Sequence, residues 1–185
     1  MFKRLLNPQT RDTLISDMLH FSSGMDDADS EPIAWNENTS RSIPNDLHQA
    51  LTASLRFDPP RKAQFLSHLI KEGCTYAVSS KHAGNSCILV SKKMEDQPVP
   101  ACIQYILELP GPEGVITCVA AQRYIHANIT CDPFLQFPIL QAQMWSTQLA
   151  KLEIIPVDHI RTHFARLFMD WEDKEVTVVL SMSRS

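Results

Sequence analysis

The densest run of chemically competent residues is Tyr76 to Val90, YAVSSKHAGNSCILV, which holds Ser79, Ser80, His82, Ser86 and Cys87. A serine or cysteine nucleophile needs a base in hydrogen-bond reach and an elbow or helix start that presents it. No Gly-x-Ser-x-Gly elbow occurs in this run. His82 falls on the turn that Gly84-Asn85 implies, and Cys87 opens an apolar strand. The run therefore reads as a turn between two strands. A cysteine-dependent hydrolase centred on Cys87 or Cys74, served by distant His126, His159 or His163, is the last-ranked of three functional readings.

Metal and phosphate chemistry find less support. His159 and His163 stand four apart on an expected helix, but the intervening Ile-Arg-Thr lacks the glutamate of a zincin motif. Cys74, Cys87, Cys102, Cys118 and Cys131 are spaced by 13, 15, 16 and 13 residues, with no Cys-x-x-Cys pair. They are expected to be reduced, small, buried hydrophobes. Five glycines form no glycine-rich strand-to-helix loop, so no cofactor or phosphate cradle is expected.

Aromatic residues offer binding chemistry instead. Tyr76, Tyr105, Tyr124 and Trp171 lie on or beside the strand-rich half of the chain, as does Trp145. Aromatics at one end of a small barrel can cage a methylated lysine, each contact worth about 0.5–2 kcal/mol. Core packing is the competing reading for each of them. Tyr124, near a strand end, and Trp171, in the charged loop DWEDKE, are the expected exceptions.

Positioning these residues requires an α+β domain. Thr10 caps an expected helix through Leu14, Ile15, Met18 and Leu19, followed by an acidic linker from Ser22 to Ser42. Residues 1–44 are thus read as helix plus flexible linker, and residues 45–185 as the folded domain. Leu47, Leu51 and Leu55 recur every fourth residue after a capping Asn45 and predict a helix. Phe65, Leu66, Leu69 and Ile70 suggest another, closed by Gly73.

Beyond Gly73 the pattern turns to strands. CTYAVSS and SCILVSK are expected to pair as a hairpin, and residues 101–109 and 114–125 as a second one across PGPEG. Pro138 to Leu152 and Asp158 to Phe168 read as helices, LEIIPV between them as extended, and EVTVVLSMS as the last strand. The fold class is α+β: a small antiparallel β-barrel or curved sheet of five or more strands, N-terminal helices and a helical insertion before the last strand.

Composition bounds the partners. At 185 residues, 44% hydrophobic and 21% charged, the chain suits one globular domain with appendages. A net charge of −4 gives no global field for a polyanion, so DNA contact would need local groups such as Lys3/Arg4, Arg61/Lys62 and Lys92/Lys93. No run approaches the roughly 20 apolar residues of a spanning helix, and the start lacks a signal-peptide pattern. The expected location is cytosolic or nuclear, with no membrane partner.

The ordered segments GCTYAVSSKHAGNSCILV, PACIQYILEL, CDPFLQFPILQAQMWSTQLAKLEIIPVDHIRTHFA and VTVVLSMSR carry a resemblance. From about residue 45 to 185 the chain resembles a module downstream of the catalytic core in basidiomycete transposon-encoded proteins related to CACTA-like and Kyakuja-Dileera-Zisupton elements. Gly73 and Tyr76, Asn85 and Ser86, Phe137 and Pro138, His163 to Ala165, and Val176 to Leu180 stand at that module's recurring positions. The resemblance implies a distant relation to bromo-adjacent-homology-like small barrels. It also implies a stand-alone, domesticated or remnant module, because residues 1–44 cannot hold the transposase core. The first expectation is a non-enzymatic interaction module for a protein or chromatin peptide, and the second is a DNA-contacting accessory domain.

Overall fold

The computed structural model describes residues 39–93 and 96–182. The expected helix after Thr10, the basic pair Lys3/Arg4 and most of the acidic linker lie outside the described residues. Ten strands and one helix follow in order: β1 (Arg41–Ser42), α1 (Asn45–Ser54), β2 (Lys62–Leu66), β3 (His68–Lys71), β4 (Cys74–Ala77), β5 (Cys87–Val90), β6 (Val99–Gly111), β7 (Gly114–His126), β8 (Ala142–Ile155), β9 (Ile160–Trp171) and β10 (Lys174–Ser181). Arg41 and Ser42, read from sequence as linker, pair with β2.

Six of the strands close into an antiparallel ring, β5-β6-β7-β8-β10-β9 and back to β5. The expected α+β small barrel is therefore present. Its first four strands form a meander, and the final β9–β10 hairpin is inserted so that β10 pairs with β8 and β9 with β5. Register shifts in β6 between Ile103 and Tyr105, and in β7 around Arg123 and Ile125, mark irregularities that bend long strands around a closed sheet.

Every ring strand sends a side chain to one interior cluster: Cys87 and Leu89, Cys102, Tyr124, Trp145, Phe164 and Val179. Ile88, Val90, Ala101, Ile103, Val119 and Ala121 form another buried cluster, completed by Tyr76 and Val78. Successive residues of β5 thus fall into different clusters, and all four are buried. Burial on both faces removes the hydrophobic alternation by which a half-buried strand is recognised.

α1 forms where the four-residue spacing predicts it. Leu47 and Leu51 are fully buried against Leu107 and Leu109 of β6 and Cys118 and Ala120 of β7. The expected Asn45 cap is not made: Pro44 occupies the cap position and no side chain bonds there. Proline suits this place because the first amides of a helix have no intrahelical acceptor and the ring presets the backbone.

Three other expected helices are strands or turns. Residues 62–71 form β2 and β3 instead of a helix, and Gly73 closes a hairpin. Glu72 and Gly73 both have positive φ (52° and 75°), the two-residue turn that matches strand twist. β4 consequently pairs with β3, while β5 pairs with β6 and β9, so the expected β4–β5 hairpin does not form. The helical insertion is confined to two 3-10 turns, Pro133–Gln136 and Pro138–Leu140, and a third at Val157–His159 precedes β9. The remainder of both expected helices is β8 and β9. The β6–β7 hairpin and the final strand stand as expected, and of LEIIPV the part through Ile155 is extended while Val157 enters the 3-10 turn. No helix among the described residues is long and apolar enough to cross a membrane.

A Cβ on Gly73 would meet no atom within 4 Å, so alanine there pays only for the left-handed backbone, roughly 1–2 kcal/mol. Urea unfolding should rank Gly73 above Gly73→Asn and Gly73→Asn above Gly73→Ala, because asparagine tolerates that conformation. Equal midpoints for all three would refute the turn assignment.

Candidate functional site

A pocket of about 580 Å³ opens at one mouth of the barrel. Its walls come from the adjoining strand ends: Leu89 of β5, Pro100 of β6, Ala142 and Trp145 of β8, Arg161 and Thr162 of β9, and Val179 of β10. The 3-10 segment supplies the lip with Phe134, Leu135 and Pro138. The Asp132 carboxylate fixes that lip, accepting from the Phe134 amide (2.9 Å) and from the Met144 amide of β8 (2.8 Å). Gln141, in the left-handed conformation (φ 46°), then turns the chain into β8.

One charged side chain gives this apolar pocket polarity. Arg161 is the one charged residue among those lining it. Its Nε donates to Ser91 Oγ (2.9 Å), and the Ser91 hydroxyl donates onward to the Lys93 carbonyl (2.8 Å), which anchors the guanidinium stem at the rim. Trp145 is 3% exposed, stacks on His126 with ring centroids 4.3 Å apart, and has a buried indole N–H without a hydrogen-bond partner. An orphaned buried donor costs about 1–3 kcal/mol, a cost the packing around Trp145 offsets.

The four aromatics expected from sequence do not converge. Tyr76 is buried and stacks on His163 (4.4 Å, 19°). Tyr105 is half-buried and meets Phe65 edge-on (6.1 Å). Tyr124 lies in the barrel interior, edge-on to Phe164 (5.9 Å), and its hydroxyl accepts from Arg166 Nη1 (2.8 Å). Trp171 is half-buried and packs with Met169 against Val176 and Val178. They belong to four separate clusters, and none lines the mouth pocket. A ring face of Tyr76 is engaged by the stacked His163, and Tyr124 is packed within the interior cluster. Trp145, alone of the aromatics named from sequence, lines the mouth; sequence reasoning missed Phe134, Leu135 and Arg161, and the visible signal for the first two was the aromatic and proline-rich run DPFLQFP.

The serine and histidine run before β5 is a turn held by its own side chains. His82 Nδ1 accepts from the Asn85 amide (3.0 Å), and the Ser86 hydroxyl donates to the Ala83 carbonyl (2.8 Å). Ser86 is fully buried. The Ser79 hydroxyl donates to Gln104 Oε1 (3.1 Å). The Cys87 thiol is buried, donates to the Ala83 carbonyl (3.2 Å), and is pushed up in pKa by burial, the reverse of nucleophile activation.

All the cysteines described are free; Cys87, Cys102 and Cys118 are buried as expected, but Cys74 and Cys131 are exposed. Burial pushes the Cys118 thiol up to about 11. His159 sits in a 3-10 turn and His163 on a strand, so they do not share a helix face. Among the described residues no group of three or more His, Cys, Asp or Glu could hold a metal ion. Arg61, Lys62, Lys92 and Lys93 are exposed.

By architecture the chain is a closed six-stranded antiparallel barrel with an apolar mouth pocket. Comparison with protein-family models, curated proteins and solved structures finds no match.

His163 carries a testable pH signature. Burial lowers its pKa, more than the nearby Asn85 and Thr75 backbone groups raise it. Below its ordinary value of about 6.5 the unfolded chain therefore takes up a proton that the native state resists, and stability falls as pH drops. Unfolding free energy should decline from pH 7.5 toward pH 5 (~1.4 kcal/mol per unit of pKa difference). His163→Phe, which keeps a ring against Tyr76 but cannot titrate, should flatten that decline, and parallel curves would show that His163 does not contribute.

Proposed function

We propose that this chain is a non-enzymatic interaction module that binds a protein peptide, of chromatin origin in the context its transposon-module resemblance implies. The observation that carries the reading is the mouth pocket, an apolar cavity with Arg161 and Trp145 among its lining residues. Apolar volume with a few placed polar groups is the usual form of a binding site. An apolar side chain of the peptide enters the cavity, and a carbonyl or carboxylate oxygen accepts from the Arg161 guanidinium.

The lip makes the reading testable without disturbing the fold, because Leu135 is 65% exposed and lines the pocket. The protein should give saturable binding on an array of histone-tail and other peptides, checked by intrinsic tryptophan fluorescence. Leu135→Asp should weaken the best hit by about tenfold, a loss of ~1.4 kcal/mol, with an unchanged melting temperature. Absence of saturable binding across the array would overturn the peptide reading. Salt-sensitive retention of duplex DNA in its place would shift the assignment to a DNA-contacting domain.

A further inference from the structure

β5 and β6 place two cysteines opposite one another. Cys87 is the register partner of Cys102, both point into the barrel interior, and they are 1% and 4% exposed. The phase of the ladder follows from their neighbours. The Ile103 amide donates to the Ser86 carbonyl (2.9 Å), which makes Ser86 and Ile103 a hydrogen-bonded rung. Three residues further along from Ser86, Pro100, which has no N–H to give, stands opposite Leu89. Rungs alternate in type along an antiparallel pair, so Cys87–Cys102 is a non-hydrogen-bonded rung.

That rung type brings Cα atoms to about 4.5 Å and side chains closest together. A disulfide requires Cα atoms roughly 4.4–6.8 Å apart. The sulfurs share one neighbourhood: Ser86 Oγ lies 3.6 Å from Cys102 Sγ, and Ser86 adjoins Cys87 in the chain. Cys118 instead stands opposite Leu107 in a different cluster, and Cys74 is opposite Lys71.

We propose that Cys87 and Cys102 form an oxidisable cross-strand dithiol, a site of intramolecular disulfide formation one rung pair below the mouth pocket, whose wall includes Leu89 and Pro100. The co-reactant is a low-molecular-weight disulfide of the glutathione class. One protein thiolate attacks that disulfide, forms a mixed disulfide and releases one small thiol. The second protein thiol, after losing its proton, attacks the protein-side sulfur and releases the other small thiol. The protein gives up two electrons and two protons, and the small disulfide is reduced to two thiols. Because both protein sulfurs are buried, exchange waits on opening of the β5–β6 edge, and the closed bond is then shielded from reductant.

The test uses the full chain carrying Cys74→Ser and Cys131→Ser, which removes the two exposed thiols and leaves Cys118 as an internal control. Incubation with excess oxidised glutathione at mildly alkaline pH should lower the intact mass by about 2 Da, the two hydrogens lost. Non-reducing digestion should join the peptide containing Cys87 to the one containing Cys102. The melting temperature should rise by several degrees and return on adding dithiothreitol. Cys118→Ala in this background should leave the mass loss intact, and Cys102→Ala should abolish it. A mass that does not change, a lasting glutathione adduct, or a bond to Cys118 while the chain remains folded would overturn the proposal.

Discussion

The short seam between β5 and β9 is the constraint on which the rest of the structure depends. Ile88 pairs with His163, Leu89 with Thr162 and Val90 with Ile160, and these rungs join the first strand of the ring to the final hairpin. Without them the sheet would open along two strands and expose their amides and carbonyls to unintended partners. Three rungs do not hold a barrel by hydrogen bonds alone, because each contributes only about 0.5–1.5 kcal/mol net. Side chains on both faces carry the seam: Leu89 and Phe164 inside, and Ile88, Val90 and Ile160 in the other cluster. Tyr76 stacks on His163, and Lys71 donates to the carbonyls of Val157 and Ile160, so the β3–β4 hairpin clamps the entry to β9. The seam is also the costliest contact to find during folding, since it joins strands far apart in sequence.

Elements were readable from sequence where a local rule and the tertiary role agreed. Leu47 and Leu51 face one way on α1 and are fully buried, and the proline and glycine turn between β6 and β7 joins neighbours in space. The misread segments are those in which the tertiary role overrode the local pattern. Phe65, Leu66, Leu69 and Ile70 mimic a helical stripe, yet they belong to two short strands separated by Ser67. QAQMWSTQLAKLE is rich in good helix formers, but it lies between β7 and β10, and its side chains enter three different clusters. Propensities worth a few tenths of a kcal/mol per residue do not prevail against pairing and burial on that scale.

The same conflict explains the candidate site. Aromatic residues were the right chemistry to look for, but those most visible in the strands are the ones the barrel uses to fill itself. Tyr124 meets Phe164 across the lumen and accepts a hydrogen bond from Arg166, and Tyr76 braces the seam. The mouth is lined by residues from the strand ends and from a lip whose position depends on Asp132 bonding Met144, a contact between separate elements. Nothing local announces that Trp145 lines this mouth, because its place there exists only once six strands have closed around it.

The two ends of β6 are treated differently, and the difference bears on how a partner could engage. Toward Leu107 and Leu109 the sheet is covered by α1, with Leu47 and Leu51 filling the space. Toward the mouth, Pro98, Pro100 and Pro138 border the opening. Proline offers no N–H, so this rim has fewer donors for an added strand and fewer to leave unsatisfied when water is displaced. A rim of that kind discourages edge-to-edge pairing while leaving an apolar cavity accessible. A partner at the mouth would insert a side chain rather than extend the sheet, and Arg161 is the charged donor among the lining residues.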